Sequence, residues 1–297
     1  MINIKQKISQ ITIVIVSYKS EQKVLDIVKE NKNLCNILIV DNSNNENLKQ
    51  KIIKFKKKNI NIILSKNIGY GNAANLASKY IKTKYFVLTN PDVLGINCVN
   101  LKKFTNKVKN LGKFGSIGPR YIGKNHKNLI QTTGRNEIEK LNCISGAVMF
   151  FETQTFKKLK GFDKNFFLYF EENDFCFRAN RKKYFNYQLN SIKVKHENGN
   201  SVKYSSKNER LKTNILRTWH FAWSKIYYLK KNHNYFYALS IGLMGLIRSF
   251  VKMVFFNLRK NKIEYIKYHA RFNAIINSIS DKKAYFRLSD VEKYYDL

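Results

Sequence analysis

Short apolar runs alternate with segments of helical length along the first two-thirds of the chain. Four of these runs are rich in β-branched or aromatic residues: Ile11–Val16, Ile37–Val40, Ile60–Leu64 and Tyr85–Leu88. The continuous apolar character of Ile11–Val16 is typical of a strand buried on both faces of a sheet. Segments long enough for helices, such as Lys23–Asn33 and Gly71–Lys82, separate the runs. The alternation predicts an α/β fold in which helices cover both faces of a mostly parallel sheet.

The pattern continues to about residue 204 and then changes. We expect a strand at Cys143–Phe151, a helix at Glu171–Lys183 and a strand at Phe185–His196. Beyond residue 205, three long helices are expected: Asn208–Lys231, Tyr235–Leu258 and Lys262–Ile279. The sequence therefore predicts an α/β domain over residues 1–204 and a helical C-terminal region over residues 205–297.

Each of the first four predicted strands is followed by polar or small residues. The four tails are SYKS, DNSN, SKNIGYGN and TNPD. Ligands of open α/β sheets bind outside the carboxyl ends of the strands, so we expect these tails to meet at one crevice. The pattern indicates a nucleotide-type binding site at that edge of the sheet.

The charge of the chain does not indicate a nucleic-acid-binding protein, although the formal net charge is +35. Of the 55 basic residues, 45 are Lys and only 10 are Arg, and they are spread evenly. Proteins that read nucleic acids usually concentrate their charge and use Arg at phosphates and base edges. We expect no nucleic-acid partner, and instead a general attraction to anionic surfaces such as membranes.

The four cysteines indicate a reducing compartment. They lie far apart in the sequence and form no CxxC pair, which argues against a disulfide framework and a structural zinc site. The first ten residues, MINIKQKISQ, contain no apolar run of the kind that a secretory signal carries. These observations predict a cytoplasmic protein.

Three acidic residues lie within four positions of one another in a chain that has only 20 acids. They are Glu171, Glu172 and Asp174, and they follow the aromatic-rich sequence GFDKNFFLYF. One interpretation is a helix N-terminus, where the helix dipole favours carboxylates. The other is a general base, since partial burial against aromatic residues raises a carboxyl pKa toward the useful range.

Two aspartates end predicted strands, and each has two interpretations. Asp41 could be a turn or helix-cap residue, or it could accept the imide N–H of a pyrimidine base. Asp92, in NPDV, could belong to a turn or could bind a hard cation attached to a diphosphate. The intervening loop Gly69–Asn75 resembles a phosphate or ribose loop, but it lacks the third glycine of the dinucleotide fingerprint.

In chain order these segments are similar to a known family. The motifs are SYKS, VDNSNNEN, NIGYGNAAN, NPDV, SGAVMFF, GFDKNFFLYFEENDFCFRA and HENGNS. Together they resemble the inverting family 2 glycosyltransferases of GT-A fold, most closely the bacterial branch that includes rhamnosyltransferases of surface-polysaccharide assembly. The resemblance runs from about Ile11 to Ser201.

The resemblance implies a set of donor-binding residues. Tyr18 and Asp41 would contact the nucleotide base and ribose, and the nucleoside pocket would be lined by Asn67, Gly69 and Asn75. The DXD motif of the family corresponds here to Asn90-Pro91-Asp92, in which Asn90 replaces the first acid. Asp92 would bind the diphosphate and a divalent ion, Mg²⁺ or Mn²⁺, with His196 as the later histidine ligand of that metal.

The resemblance also implies the residues that act on the acceptor. The family's acid pair corresponds to Glu171-Glu172, and its second member, Glu172, would be the base, although the family usually has Asp there. Asp174 would orient the acceptor or take the role of base, and the backbone at Gly146 would lie close to the sugar. The implied reaction moves a sugar from a dTDP-, UDP- or GDP-sugar to a hydroxyl of a glycan acceptor, lipid-linked in the membrane.

Other interpretations stay open at this point. A nucleotidyltransferase shares the nucleotide-binding sheet and acidic metal ligands, but it would lack an acid pair about eighty residues after Asp92. A catalytically inactive, membrane-associated scaffold of transferase fold is the non-enzyme alternative. Tyr235–Leu258 has 17 apolar residues among 24, but Arg248 and Lys252 interrupt it. That helix is either an in-plane membrane helix, which would place the protein at the inner face of the plasma membrane, or a core or homodimer helix.

Overall fold

The computed structural model describes residues 8–123, 135–197 and 202–295. The chain divides into two units by its internal contacts. The first contains Met1–Asp163 and Phe175–Lys203, and the second contains Lys164–Asp174 and Tyr204–Leu297. Two stretches used in the sequence analysis lie partly outside the described residues: the start of the chain, residues 1–7, and the end of the HENGNS motif, residues 198–201.

The first unit is built on one sheet. Its described strands are β1 (Ile11–Ser17), β2 (Asn36–Asp41), β3 (Ile60–Leu64), β4 (Tyr85–Thr89), β5 (Val93–Leu94), β6 (Phe114–Tyr121), β7 (Ile138–Leu141), β8 (Val148–Glu152) and β9 (Phe185–His196). The order across the sheet is β3-β2-β1-β4-β8-β6-β9-β5, and β7 pairs with β9. The first four strands are parallel, and β6 and β9 run in the same direction because β8 is antiparallel to both β4 and β6. The predicted mostly parallel sheet is confirmed.

Helices cover both faces of this sheet. They are α1 (Glu21–Asn31), α2 (Glu46–Ile53), α3 (Tyr70–Ser78), α4 (Cys98–Lys107), α5 (Thr153–Lys158) and α6 (Glu171–Arg181), of which α6 has its first turn in the second unit. Successive side chains of a strand point to opposite faces. Accordingly, Ile13 of β1 shares a core with Val24 of α1, whereas the next residue, Val14, shares a core with Ala74 of α3. The apolar run at β1 is unbroken because it serves two cores.

The strand order reverses at β1, and this reversal locates the functional edge of the sheet. β2 and β3 lie on one side of β1, whereas β4 lies on the other. A crevice forms outside the carboxyl ends of the strands at such a switch point. Here the strand ends are Ser17 and Thr89, which are followed directly by Tyr18 and by Asn90–Asp92.

The prediction of a strand at Cys143–Phe151 is wrong at its start, because the observed strand β8 is shorter than the apolar run. β8 begins at Val148, which pairs with the last residue of β4, Thr89. Past that point β4 has ended, so the residues before Val148 have no strand to pair with and form a loop. The loop remains apolar because Ile144 is buried in the core, where it packs against Gly118 of β6.

The second unit combines the segment Lys164–Asp174, which ends in the first turn of α6, with a group of helices. Its described helices are α7 (Lys207–Asn232), α8 (Tyr235–Leu258), α9 (Lys262–Ile279) and α10 (Leu288–Tyr295). α8 and α9 have the bounds predicted from the sequence, and α7 is one residue longer at each end. The core centres on Trp219, which is fully buried and whose Nε1–H donates to Oδ1 of Asn273 at 2.9 Å.

Candidate active site

Asp41, at the carboxyl end of β2, organises the loop that follows it. Its Oδ1 accepts a hydrogen bond from the hydroxyl of Ser17 at 2.9 Å, which links the ends of β1 and β2. Its Oδ2 accepts from the backbone N–H of Asn45 at 2.9 Å and from the hydroxyl of Ser43 at 2.8 Å. The buried carboxylate therefore fixes the turn before α2, as expected for a strand-end aspartate in a turn.

The loop before α3 is held against the end of β2. Gly69 has a φ of 88°, a left-handed conformation that side-chain-bearing residues seldom adopt. Its carbonyl accepts from Nδ2 of Asn42 at 3.2 Å, and its N–H donates to Oδ1 of Asn67 at 3.2 Å. Asn42 is buried, and its Oδ1 has no partner among the described residues. The turn thus presents Asn42, Asn67 and the Gly69 backbone at the same edge of the sheet.

Gly146 and Asn75, two further residues of the predicted site, make different kinds of contact. The hydroxyl of Tyr70 donates to the carbonyl of Gly146 at 2.7 Å, which ties the backbone at Gly146 to the start of α3. The amide of Asn75, in contrast, accepts from the N–H of Phe162 at 2.9 Å and donates to its carbonyl at 2.8 Å. Because both ends of this amide serve one backbone residue, Asn75 holds the segment around Phe162 in place.

Asp92 and His196 lie next to each other, although 104 residues separate them in the chain. Nε2 of His196 is 3.2 Å from Oδ1 of Asp92, and both side chains are largely buried. The two-residue strand β5 brings them together, because Val93 pairs with His196 at the end of β9. Among the described residues, Nδ1 of His196 has no partner.

This pair suits a divalent ion bound to a diphosphate. A carboxylate and an imidazole are ordinary ligands of Mn²⁺, and a carboxylate suits Mg²⁺. No group of three or more His, Cys, Asp or Glu residues with metal-site geometry occurs within the described part of the chain. The residues present therefore fit an ion that takes most of its ligands from the diphosphate and water.

The three clustered acids form the first turn of α6, in the second unit. Burial, and then the charge of Glu172, raise the pKa of the Glu171 carboxyl well above its usual value. Burial also raises the pKa of Glu172, to about 7, although the backbone N–H groups at the helix N-terminus act in the opposite direction. Oε2 of Glu171 has no hydrogen-bond partner among the described residues. A carboxyl with a pKa of about 7 exchanges its proton readily at neutral pH, as a general base must.

The backbone immediately before these acids is strained. Tyr169 and Phe170 have φ values of 70° and 67°, in the left-handed region where such residues cost about 1–3 kcal/mol each. Both rings contact Phe221 of α7, with centroid distances of 5.6 and 5.5 Å, and Phe170 also contacts Tyr228 at 5.6 Å. Aromatic packing on α7 therefore holds the turn that places Glu171 at the helix N-terminus.

Asp174 is tied to the other end of α7. Its Oδ1 lies 2.7 Å from Nζ of Lys231 and accepts from Nδ2 of Asn232 at 2.9 Å. The carboxylate is completely buried. A buried carboxylate with an ion-pair partner and a hydrogen-bond donor is held in one position, so Asp174 fixes the first turn of α6 against α7.

The comparison with protein families decides which chemistry these residues serve. The model described as "Glycosyl transferase family 2" matches residues 12–186, more than half of the chain. The chain belongs to glycosyl transferase family 2. The membership predicted from the order of the motifs is thereby confirmed. A search of the curated proteins finds no matching sequence.

Solved structures similar to this family 2 protein are glycosyltransferases. One is a mannosyltransferase from Pyrobaculum calidifontis in complex with GDP-Man and Mn²⁺, with 12% identity, a TM-score of 0.55, and coverage of 92% of this chain and 88% of that chain. Another is S. aureus TarS 1–349 in complex with UDP-GlcNAc, with 14% identity, a TM-score of 0.52 and 93% coverage of both chains. At such identities the likeness concerns the fold, and it confirms the predicted GT-A architecture. The protein is accordingly a nucleotide-sugar glycosyltransferase.

The structure distributes the glycosyltransferase's predicted site residues over its two units. At the edge of the sheet in the first unit lie Tyr18, Asp41, Asn67, Gly69, Asp92, Gly146 and His196, whereas the second unit carries Glu171, Glu172 and Asp174. Sequence reasoning missed the residues that hold them: Ser17, Asn42, Ser43, Tyr70, Phe221 and Lys231. The first four lie within or beside the polar segments that follow the strands, and this position could have identified them as candidate site residues. Nothing in the local sequence marks Phe221 or Lys231.

Proposed function

We propose that this glycosyltransferase transfers a hexosyl or deoxyhexosyl group, such as rhamnosyl, with inversion at the anomeric carbon. The donor is a dTDP-, UDP- or GDP-sugar, and the acceptor is a hydroxyl of a lipid-linked glycan in bacterial surface-polysaccharide assembly. The observation that carries the proposal is the carboxyl of Glu172, whose pKa is raised to about 7 at the N-terminus of α6. GDP-Man and UDP-GlcNAc are bound by the two solved relatives, and the same donor class is proposed here.

Glu172 acts as the general base in a single displacement. Its carboxylate takes the proton of the acceptor hydroxyl while the hydroxyl oxygen attacks the anomeric carbon. The bond between that carbon and the diphosphate oxygen breaks with its electron pair, and the nucleoside diphosphate leaves. Because attack and departure occur on opposite sides of the carbon, the configuration inverts.

The neighbouring acids support this step without taking the proton. Burial and the charge of Glu172 raise the pKa of Glu171, which favours its protonated form, and a protonated carboxyl can donate a hydrogen bond to the acceptor. Asp174 is a positioning residue, since Lys231 and Asn232 hold its carboxylate. It anchors the first turn of α6 to α7.

The donor is bound by the strand tails of the first unit. Tyr18 is half-buried at the end of β1 and offers a ring for the nucleotide base, while Asn67 and the Gly69 backbone line the nucleoside pocket. Asp41 shapes this pocket through the Ser43 loop rather than through a free carboxylate.

A divalent ion, Mg²⁺ or Mn²⁺, would be held by Asp92 and His196 together with the donor diphosphate. When bound, the ion neutralises the charge that develops on the leaving diphosphate. Asp92 supplies the charged oxygen ligand, and the largely buried position of both side chains limits competition from water.

The proposed site of action is the cytoplasmic face of the plasma membrane, because nucleotide sugars are cytoplasmic substrates and the acceptor is lipid-linked. A soluble analogue of the acceptor makes the chemistry measurable without a membrane. Release of nucleoside diphosphate from a panel of dTDP-, UDP- and GDP-sugars should show turnover with one donor class and its increase by acceptor. Binding of donors without any turnover would instead favour an inactive scaffold, and release of pyrophosphate would favour a nucleotidyltransferase.

A further inference from the structure

We propose that the outward face of α8 is a docking surface for an anionic lipid bilayer, which it meets lying in the plane of the membrane. The face, called the α8 face below, consists of large apolar side chains that are each between 45% and 78% exposed: Phe236, Leu243, Met244, Ile247, Phe250, Val251, Val254 and Leu258. Phe236, Leu243, Ile247, Phe250, Val254 and Leu258 follow one another at intervals of seven, four, three, four and four residues, and Met244 and Val251 lie beside them, so the eight form one stripe along the helix. Contiguous exposed apolar surface of this length is unusual and marks an interaction site.

The opposite side of α8 is already used by the protein. A side chain at Gly242 would come within 2.9 Å of Ile279, and one at Gly245 within 2.9 Å of Ile275, so the glycines let α8 lie directly against α9. At the other end of the pair, the rings of Phe256 and Tyr268 stack at 5.6 Å. α8 and α9 are thus antiparallel neighbours along their length.

This packing favours an in-plane helix over a membrane span. By length and composition alone α8 could cross a bilayer, with a mean hydropathy of 1.7 over its most apolar window. A crossing α8 would take α9 into the hydrocarbon beside it, together with Glu264, Lys267 and Arg271. Charged side chains at that depth cost several kcal/mol each, so a bilayer that contacts the α8 face alone is the favourable arrangement.

The charge around the α8 face identifies its occupant. Residues 230–262 contain seven basic residues and no acidic residue. Lys230 and Lys231 pair with Asp281 and Asp174, whereas the other five have no acidic partner among the described residues: Arg248, Lys252, Arg259, Lys260 and Lys262. A second copy of the chain would bring like charges together, since residues 204–297 carry 18 bases and 6 acids. An anionic headgroup layer complements these bases, at about 1 kcal/mol for each one near the surface.

The start of α8 is also linked to the helical turn that carries the proposed base. α8 begins three residues after Asn232, which binds Asp174 in the first turn of α6. Docking of α8 would therefore bring a lipid-linked acceptor to the same unit that carries Glu172, a consequence that rests on the proposed function. Binding to vesicles does not rest on it and is measured without donor or acceptor.

Flotation of the full-length protein with vesicles tests the docking surface. The protein should float with mixed phosphatidylglycerol and phosphatidylcholine vesicles, and far less with phosphatidylcholine alone. Ile247→Glu and Phe250→Glu should each weaken this binding at least tenfold, since they place a charge in the centre of the α8 face. Ile53→Glu is the matched control, because Ile53 is 56% exposed in α2 and should leave binding unchanged.

Two further measurements keep the test decisive. Replacing Arg259 and Lys260 together by Gln leaves the apolar stripe intact and should weaken binding to anionic vesicles roughly tenfold or more. Light scattering without lipid should show a species whose mass Ile247→Glu does not change. The proposal is overturned if the wild type stays off anionic vesicles, if the α8-face variants float as well as it does, or if Ile247→Glu converts a dimer into a monomer while vesicle binding persists.

Discussion

Nζ of Lys231 lies 2.7 Å from Oδ1 of Asp174, so the C-terminal turn of α7 is joined to the N-terminal turn of α6. Asp174 is completely buried, whereas Lys231 is about 29% exposed. The pair therefore separates two acids that the sequence could not distinguish. Lys231 and Asn232 hold Asp174 in a fixed place, while Glu172 has a pKa of about 7 and is able to accept a proton.

The first prediction separates the roles of these two acids. Glu172→Gln should lower kcat by a factor of about 10²–10⁴, the usual contribution of a general base, while donor affinity stays within a few-fold of the wild type. Asp174→Asn should keep the pH dependence of the wild type but lower stability by about 1–3 kcal/mol, because Lys231 loses its partner. The measurements are steady-state kinetics, donor titration and urea unfolding. Near-normal turnover in Glu172→Gln, combined with an inactive and folded Asp174→Asn, would assign the base to Asp174.

The second prediction concerns the pH dependence of turnover. Only the ionised form of Glu172 accepts a proton, so kcat should fall about tenfold for each pH unit below about 7 and level off above it. Glu172→Asp should shift this midpoint, and Glu172→Gln should remove it. Rates measured from pH 5.5 to 9 with a soluble acceptor would show the profile. A flat profile through this range in the wild type would contradict the assignment.

The third prediction is metal dependence. Chelation with EDTA should stop turnover, and Mn²⁺ or Mg²⁺ should restore it. Asp92→Asn and His196→Asn should weaken Mn²⁺ binding in the presence of nucleoside diphosphate, which paramagnetic resonance detects without any turnover. Asp26→Asn is a suitable control, since Asp26 is an exposed acid of α1. Full activity in excess EDTA would show that the protein alone stabilises the leaving group.

Much of the fold could be predicted because its signals are local. The edge strand β3 and the helices α8 and α9 have the bounds that apolar periodicity indicates. The two-residue strand β5 could not be predicted, because its residues are defined as a strand only by pairing with β9. The strand expected at Cys143–Phe151 was wrong at its start for the same reason. Apolar residues such as Ile144 can be buried while they lie in a loop, and here the neighbouring strand β4 has already ended.

In the candidate site, too, the local features could be predicted from the sequence and the long-range contacts could not. Asp41, Gly69 and Asp92 could be predicted as site residues because they lie in the polar segments that follow strands, and a strand end is recognisable within the sequence itself. The contacts that give each residue its role are long-range: Asp92 meets His196 104 residues later, and Asp174 meets Asn232 58 residues later. A single sequence carries no information on which distant side chains meet. The contacts of α7 with the segment that carries the acids could therefore be recognised only in the structure.

The fourth prediction tests the strained turn before the acids. Phe221→Ala removes the ring that packs against Tyr169 and Phe170, which should let their left-handed backbone relax. We expect kcat to fall about tenfold or more while the KM for donor changes little. Tyr80→Ala is the control, because Tyr80 is an aromatic residue 61% exposed outside both sites. A lower melting temperature with unchanged kcat would show that Phe221 stabilises the unit without positioning Glu172.

The last prediction concerns His220, a buried residue of α7 whose Nε2–H donates to the carbonyl of Phe286 at 2.8 Å. Burial lowers the pKa of His220 to about 3, from an ordinary value of 6.5. Between these values the unfolded chain binds a proton that the folded chain does not. The contribution of His220 to stability is therefore fully present above pH 6.5 and is lost as the pH falls toward 3.

From pH 7.5 to 5.0 this loss should amount to about 2 kcal/mol, at 1.36 kcal/mol per pH unit below 6.5. Glu171 and Glu172 act in the opposite direction over part of the same range, because their raised pKa values favour the folded state as the pH falls. The difference between the wild type and His220→Gln cancels their contribution, since glutamine can donate the same hydrogen bond but does not titrate. Urea unfolding at the two pH values should show the wild type losing about 2 kcal/mol more than the variant. Equal losses in both proteins would mean that His220 is protonated in the folded state.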